Sequence, residues 1–217
     1  VKVGDYAFAQ IDSARRAQIR VHHTSAHLLQ AALIKVLGDE VKQAGSQVED
    51  NRMRFDFTFS RAMTPQEIKK TEDIMNKWIG EKLPVNTDVM GIEEAKLTGA
   101  TALFGEKYED VVRVVSIGGK AKCNCGSDCS CDHESGEEKE VISKEFCAGT
   151  HASNTADLRL VKIVSEGAIA AGTRRIEAVV ADAAIDYLNA KSAEIDKLAS
   201  RFKVHFDEVE SRIEKLL

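Results

Sequence analysis

The sequence predicts an α+β fold, in which helices pack on a mixed or antiparallel sheet and a long helix follows at the carboxyl-terminal end. Segments that alternate apolar and polar residues, as strands do, are interspersed with segments whose apolar residues recur every three or four positions, as in helices. The chain has 217 residues, of which 43% are hydrophobic and 30% charged. This composition excludes disordered and membrane-embedded proteins, and no apolar run approaches the ~20 residues of a membrane span.

Charge and cysteine content limit the classes of partner and compartment. The net charge of −5 argues against nucleic-acid binding driven by bulk charge, although it leaves room for a local basic surface. Five cysteines in a chain of this size do not indicate a disulfide scaffold. The first ten residues lack the features of a signal peptide. We therefore expect a cytoplasmic, reducing location, no membrane partner, and thiols available for metal binding or catalysis.

The first elements follow from apolar periodicity. Residues 1–12 alternate apolar and polar side chains, which predicts the last strand of a preceding β-domain, assigned to residues 1–20. Apolar residues recur at three or four positions over 21–37, which predicts an amphipathic helix ended by Gly38. Two strands are predicted at 45–50 and 53–59, the second placing three phenylalanines on one face.

Capping and breaking residues define the middle of the chain. Thr64-Pro65-Gln66-Glu67 is a capping box with proline at the first helical position, so a helix is predicted from there to about Lys82. The remaining predictions are strands at 83–90, 111–117, 158–164 and 174–180 and a short helix at 92–97, with 111–117 as a central strand because it is continuously apolar.

Two segments differ from the rest of the chain. Residues 120–140 carry many cysteines and acidic residues but almost no aliphatic ones, so they are interpreted as an insertion in a domain spanning 21–181. Residues 182–217 contain neither proline nor glycine and are predicted to form one long helical arm. Its apolar residues form a seam like that of a coiled coil, which predicts a homodimer through this helix; packing on its own domain is the alternative for 181–188.

Two histidine-containing pairs predict a zinc site. His23 and His27 are four residues apart, a spacing that places both imidazoles on one helix face, although two ordinary polar histidines would show it too. Cys147 and His151 repeat the spacing far along the chain. Three imidazoles and a thiolate suit tetrahedral Zn²⁺, and ligands from distant elements are typical of catalytic rather than finger-type sites. The predicted fold is therefore arranged around a zinc ion.

The insertion is a second candidate metal site. Thiols and an imidazole are dense within it, at Cys123, Cys125, Cys129, Cys131 and His133. Paired Cys-x-Cys units resemble metallothionein-like clusters and would bind Zn²⁺ or Cu(I) in a reducing cell. The alternative is a tolerated surface loop without a function.

The same motifs carry a family resemblance. HHTSAHLL at 22–29 and CAGTH at 147–151 resemble the zinc motifs of the editing domain of alanyl-tRNA synthetases and of their free-standing relatives. Further blocks at 45–57, 101–118, 143–151 and 162–179 resemble that domain in the same order. The resemblance covers most of the chain, and the terminal helix resembles the start of the synthetase's helical arm, which favours a synthetase fragment.

The resemblance implies hydrolysis of Ser-tRNA(Ala) and Gly-tRNA(Ala). An alanine pocket separates small side chains poorly, so a second hydrolytic site is required. The resemblance assigns zinc to His23, His27, Cys147 and His151, and a catalytic, site-lining role to Gln43. It implies two partners, the acceptor end of tRNA(Ala) and the remainder of the synthetase. Arg174 and Arg175 are candidate tRNA contacts, the alternative being salt bridges to Glu177 or Glu166.

Three features depart from the family pattern. Ala26 stands where threonine is common, Ala148 replaces the first glycine of CGGTH, and the insertion precedes the second zinc motif. Two other functions stay open, threonyl-type editing of Ser-tRNA(Thr) and a non-catalytic, zinc-stabilised tRNA-binding module. A zinc protease is disfavoured because no glutamate follows His23 as a general base.

Overall fold

Seven strands form two antiparallel sheets, and five helices accompany them in the part of the chain described by the computed structural model, residues 2–102, 108–121 and 138–216. The helices are α1 (Ser13–Leu37), α2 (Pro65–Gly80), α3 (Ile92–Leu97), α4 (Asp182–Phe202) and α5 (Val209–Glu214). The strands are β1 (Gln43–Val48), β2 (Met53–Thr58), β3 (Val85–Gly91), β4 (Val111–Gly119), β5 (Lys139–Phe146), β6 (Val161–Ala170) and β7 (Thr173–Val180). Short 3₁₀ turns lie at Thr155–Leu158 and Phe206–Glu208.

The four-stranded sheet has the order β1-β2-β7-β6 and lines one side of the main core. The predicted alternation in β2 is confirmed, because Met53, Phe55 and Phe57 are buried while the intervening side chains are less so. Their inner face packs with α1 and α2, whose leucines, Met75 and Trp78 are buried in the same cluster. Removing this apolar surface from water is the main source of stability here.

The three-stranded sheet has the order β3-β4-β5, so the predicted central position of the 111–117 strand is confirmed. Other apolar residues pack against both faces of this strand, β4. Val115 and Ile117 join the main core, and Val112 and Val114 pack with residues of α3 in a smaller cluster. Burial on both faces explains why this strand is a continuous apolar run.

The structure corrects the amino-terminal prediction. No strand forms in residues 2–12, where Val3, Tyr6 and Phe8 are fully or almost fully exposed. Helix α1 begins at Ser13, eight residues before the predicted start, because the Asp12 carboxylate caps it by accepting a hydrogen bond from the Arg15 amide. The helix thus crosses residue 20, where the predicted boundary between the first two domains lies.

The structure also adds and lengthens strands. Strand β5 had no counterpart among the predicted elements. Strand β6 continues to Ala170, past the predicted strand end at residue 164, so that the turn to β7 lies at Gly172, which has a φ of +71°. A positive φ favours glycine at that position.

The prediction of one long terminal helix is wrong. Helix α4 ends at Phe202 because Lys203 adopts a left-handed conformation, and the Val204 amide donates back to the Ala199 carbonyl. The chain then re-enters a helix through the 3₁₀ turn, and α5 packs against α4 with Ala199 and Val209 buried. A straight seam therefore does not exist over residues 182–216, and homodimerisation stays a prediction. Among the described residues, no helix is long and apolar enough to cross a membrane.

Candidate metal centre

The structure brings the four predicted ligands together. His23 and His27 lie one turn apart on α1, and Cys147 and His151 lie in the loop that follows β5. The loop is tied to the three-stranded sheet, since the Cys147 amide donates to the Arg113 carbonyl on β4 at 3.0 Å. One donor atom from each of the four side chains lies within 4.8 Å of the others. This span is close to that of atoms bound at about 2.0–2.3 Å to one ion.

The side chains converge on a single point. The Cys147 Sγ atom lies 3.2 Å from His151 Nε2 and 3.5 Å from His23 Nε2. The ring centroids of the three histidines are 4.2 to 5.5 Å apart, and His27 and His151 are almost fully buried. Three imidazoles and one thiolate form a donor set that suits Zn²⁺.

Outer contacts orient two of the imidazoles. His27 Nδ1 lies 3.3 Å from a carboxylate oxygen of Glu145, and His151 Nδ1 lies 3.2 Å from the Thr24 hydroxyl. Because the Thr24 hydroxyl donates its proton to the Arg20 carbonyl, it accepts from His151 Nδ1. The Thr24 hydrogen bond fixes the Nδ1 side of His151, and the charge of Glu145 lies on the Nδ1 side of His27. Each ring is left with Nε2 for a metal, the arrangement common in zinc proteins.

The electrostatics of the cluster favour an anionic sulfur. Burial raises the pKa of the Cys147 thiol, but hydrogen bonds from His151, His23 and His27 outweigh it and lower this pKa to about 3. Burial lowers the pKa of His27, whereas the charge of Glu145 and the contact with Cys147 raise it to about 10 overall. Burial brings the pKa of His151 down to about 4. At neutral pH the cluster therefore holds a thiolate, the form of cysteine that binds metals.

One glycine in the loop allows the helix and loop to approach. A Cβ atom at Gly149 would lie 1.9 Å from His23 Cε1, so no side chain fits there. Ala148, the departure from the family motif, is exposed, and its methyl group therefore does not obstruct the site. Ala26, the other departure, is buried and contributes to the main apolar core.

Gln43 and Arg174 lie in one cross-strand row. Gln43 opens β1 opposite Phe57, and Phe57 pairs in turn with Arg174 on β7. The Gln43 side chain donates to the Ser46 hydroxyl at 3.1 Å. Nothing in these contacts links Gln43 to the four ligands, so its catalytic role stays a prediction.

Both candidate tRNA-contacting arginines form ion pairs. Arg174 makes a bidentate pair with Glu166, at 2.5 and 2.7 Å, and both side chains are largely buried. Arg175, on the opposite face of the sheet, makes a bidentate pair with Asp56 at 2.7 and 2.8 Å. The structure therefore shows the salt bridge considered for Arg174 and a different one for Arg175, and tRNA contact stays a prediction for both.

Two clefts are lined by residues that neighbour or contact the ligands, although by none of the four ligands themselves. The first, of about 490 Å³, is lined in part by Arg20 and Ala152, neighbours of the ligands on α1 and in the loop. The second, of about 320 Å³, is lined in part by Gln30 and by Glu145, the carboxylate next to His27. Either cleft gives a ligand access to residues that contact the cluster.

The sequence did not indicate three residues that surround the ligands. Thr24 contacts His151, and Glu145 contacts His27, across more than 100 residues of the chain. Arg113 contacts Gly149 across 36 residues. Spacing along the chain cannot show such contacts. The only indication in the sequence was that Thr24 and Glu145 lie within or next to the two ligand motifs. The five residues of the insertion, from Cys123 to His133, lie outside the described residues, so the second metal site stays a prediction.

Comparison with known proteins supports the predicted resemblance. Residues 112–177 match the family described as "Threonyl and Alanyl tRNA synthetase second additional domain". The chain is similar over its full length to alanine–tRNA ligases, with 44% identity over 216 residues to that of Synechococcus sp. (strain JA-3-3Ab). Identity is 42% over 218 residues to the chloroplastic/mitochondrial enzyme of Arabidopsis thaliana. The chain spans 22% and 20% of the length of these two relatives.

Proposed function

We propose that this chain is the editing domain of an alanine–tRNA ligase and hydrolyses Ser-tRNA(Ala) and Gly-tRNA(Ala) in cis. The observation that carries the proposal is the convergence of His23, His27, Cys147 and His151 from two distant elements. The similarity of the whole chain to one region of alanine–tRNA ligases supports it. The remainder of the synthetase and the acceptor end of tRNA(Ala) would then be its partners.

The four ligands would hold one zinc ion in the editing site. With a coordination position open to substrate or water, as in catalytic zinc sites, the ion would act as a Lewis acid on the ester carbonyl or lower the pKa of a water molecule. The thiolate of Cys147 reduces the net charge of the centre, and Glu145 holds the orientation of His27. Gln43 would orient the attacking water or the seryl hydroxyl. Water adds to the ester carbonyl carbon, the bond to the terminal ribose oxygen breaks, and that oxygen receives a proton.

A deacylation assay tests this function directly. We expect hydrolysis of Ser-tRNA(Ala), no hydrolysis of Ala-tRNA(Ala) or Ser-tRNA(Thr), and loss of activity with a chelator that zinc reverses. The variant His27→Ala should be inactive, whereas His205→Ala, which removes an exposed histidine on the carboxyl-terminal arm, should match the parent. Hydrolysis of Ser-tRNA(Thr) instead would indicate threonyl-type editing, and tight tRNA binding without turnover would indicate a binding module.

We also propose that the insertion, residues 120–140, binds a second metal ion. Four cysteines and one histidine within eleven residues support it. Metal analysis should give more than one ion per chain, with the excess lost in the Cys125→Ser/Cys129→Ser double variant. One zinc per chain, unchanged in that variant, would remove this proposal.

We further propose that the protein works in a reducing compartment and forms a homodimer through residues 182–217. A reducing location such as the cytoplasm fits the free thiols, and the relatives include chloroplastic and mitochondrial enzymes as well as bacterial ones. Homodimerisation through residues 182–217 can be tested by measuring mass in solution for the full chain and for a chain ending at residue 189. Equal oligomeric states in the two would argue against this interface.

A further inference from the structure

Two arginines, one on α1 and one on β4, donate hydrogen bonds to the backbone of residues 147–151, here called the metal-binding loop. Arg113, on the central strand β4, donates from Nη1 to the carbonyl oxygen of Gly149. Arg20, on α1, donates from Nε to the carbonyl oxygen of His151 at 2.6 Å. The two contacts fall on either side of Thr150, so both halves of the loop are held between the helix and the sheet.

The guanidinium groups of Arg20 and Arg113 donate their hydrogen bonds to uncharged acceptors. Within the described residues, neither Arg20 nor Arg113 forms an ion pair with a carboxylate, whereas Arg174 and Arg175 both do. The second nitrogen of Arg113 reaches the Thr87 hydroxyl on β3 at 3.4 Å. Charged donors to neutral carbonyls make hydrogen bonds stronger than ordinary amide donors. The loop backbone therefore accepts two charge-assisted hydrogen bonds.

Arg113 donates to the carbonyl of Gly149, the residue whose backbone packs against the His23 ring. Gly149 is so close to this imidazole that a Cβ atom would overlap it. The Arg113 backbone carbonyl also accepts from the Cys147 amide, so one residue fixes the loop through both its backbone and its side chain. Any displacement of Gly149 would move Cys147 relative to His23.

We propose that Arg113 and Arg20 form a guanidinium clamp that positions Cys147 and His151 against the histidines of α1 for metal binding. Arg113 is the principal positioning residue of this clamp, which rests on the proposed zinc site. It touches no ligand side chain and acts through the loop backbone. The two nitrogens of the planar guanidinium point to Gly149 and Thr87 from separate positions, whereas a lysine ammonium presents its donors from a single atom on a flexible stem.

Metal affinity and the spectrum of bound Co²⁺ test the clamp without reference to catalysis. In the full chain, Arg113→Gln should weaken zinc binding by about 10-fold or more in competition with a chelator, as loss of outer-shell partners does. Its Co²⁺ form should show shifted d–d and thiolate charge-transfer bands. Arg113→Lys should show about a threefold loss and a smaller shift. The matched control, Arg61→Gln, breaks an exposed pair on α2 and should bind both metals like the parent.

Several outcomes would overturn the clamp. One is an unchanged zinc affinity and Co²⁺ spectrum in Arg113→Gln, and another is an equal loss in Arg61→Gln. If Arg113→Gln does not fold, as judged by circular dichroism, Arg113→Lys decides with the same two measurements, and parental behaviour there counts against the proposal. Deacylation is measured separately, so an inactive parent that shows these metal-binding effects would contradict the proposed function but retain the clamp.

Discussion

Gly149 is the residue at which the metal-binding loop has no room for a side chain. We predict that Gly149→Ala weakens zinc binding by about 10-fold or more, because the new methyl group must displace the His23 ring. The neighbouring variant Ala148→Gly is the matched control, since Ala148 is exposed and its methyl group should be dispensable. Chelator competition measures both. Equal affinities in the two variants would contradict this account of the loop.

Cys147 is the only thiol among the four clustered ligands, and its chemical reactivity reports whether it binds the ion. Its pKa of about 3 makes it a thiolate at neutral pH, so we predict rapid alkylation by iodoacetamide in chelator-treated protein. Added zinc should slow alkylation of Cys147 by about 10-fold or more, because a metal-bound thiolate is a poor nucleophile. Peptide mapping separates this site from the cysteines of the insertion. Protection that persists in His27→Ala would argue against shared coordination.

The ligands could be predicted from the sequence, whereas their supports could not. Two pairs with a spacing of four residues are visible in the chain, and a helix converts that spacing into a shared face for His23 and His27. Thr24, Glu145 and Arg113 contribute through contacts between segments that are far apart in the chain, and these contacts depend on how the sheets and α1 pack. Arg174 shows the same limit. The sequence offered Glu166 and Glu177 as possible ion-pair partners, and only the structure shows that Arg174 pairs with Glu166.

At the scale of elements, the capping box of α2 makes a pH-dependent contribution to stability. Hydrogen bonds from Arg61 and from Thr64 lower the pKa of Glu67 from 4.5 to about 2. A carboxyl group whose pKa is depressed on folding stabilises the protein above its unfolded pKa, and this contribution is lost as pH falls toward its folded pKa. The effect therefore disappears between pH 4.5 and about 2.

We predict that Glu67→Gln lowers the free energy of unfolding by about 1 kcal/mol at pH 7. Glutamine can still close the capping box, but the substitution removes the negative charge at the helix amino terminus and its solvent-screened pair with Arg61. The difference from the parent should shrink below pH 4.5, the ordinary pKa of the group. Urea unfolding at several pH values measures it. Glu93→Gln, which breaks an exposed pair on α3, should cost much less. A difference that does not change with pH would show that Glu67 acts through something other than its charge.

The start of α2, which has explicit signals, was predicted well, whereas apolar periodicity alone placed β2 but gave the wrong elements at the two ends of the chain. The proline and capping box fix the start of α2 at Pro65, and both signals act within a few residues. Residues 1–12 alternate like a strand but find no partner strand within the described residues, and a lone strand cannot satisfy its backbone. The apolar periodicity continues past Lys203, but this residue adopts a left-handed backbone conformation that ends α4. The chain turn that follows allows Val209 of α5 to be buried.

At the scale of the molecule, the ligand cluster joins two layers of the fold. His23 and His27 belong to α1, which packs on the four-stranded sheet, whereas Cys147 and His151 follow an edge strand of the three-stranded sheet. An ion shared by the four residues would link these layers across the core. A ligand that binds only the folded state stabilises it by RT ln(1 + [L]/Kd), about 2.7 kcal/mol at a free concentration of 100 Kd.

We predict that zinc at this excess raises the midpoint of thermal unfolding by about 5–10 °C, given the size of the chain. His27→Ala should lose this shift, and His205→Ala should retain it, because only the former removes a donor that faces the cluster. Since thiols of the insertion can bind zinc as well, the Cys125→Ser/Cys129→Ser variant must be compared. A shift that survives in His27→Ala but vanishes in the cysteine variant would assign the stabilising ion to the insertion and leave α1 and the loop without a shared metal.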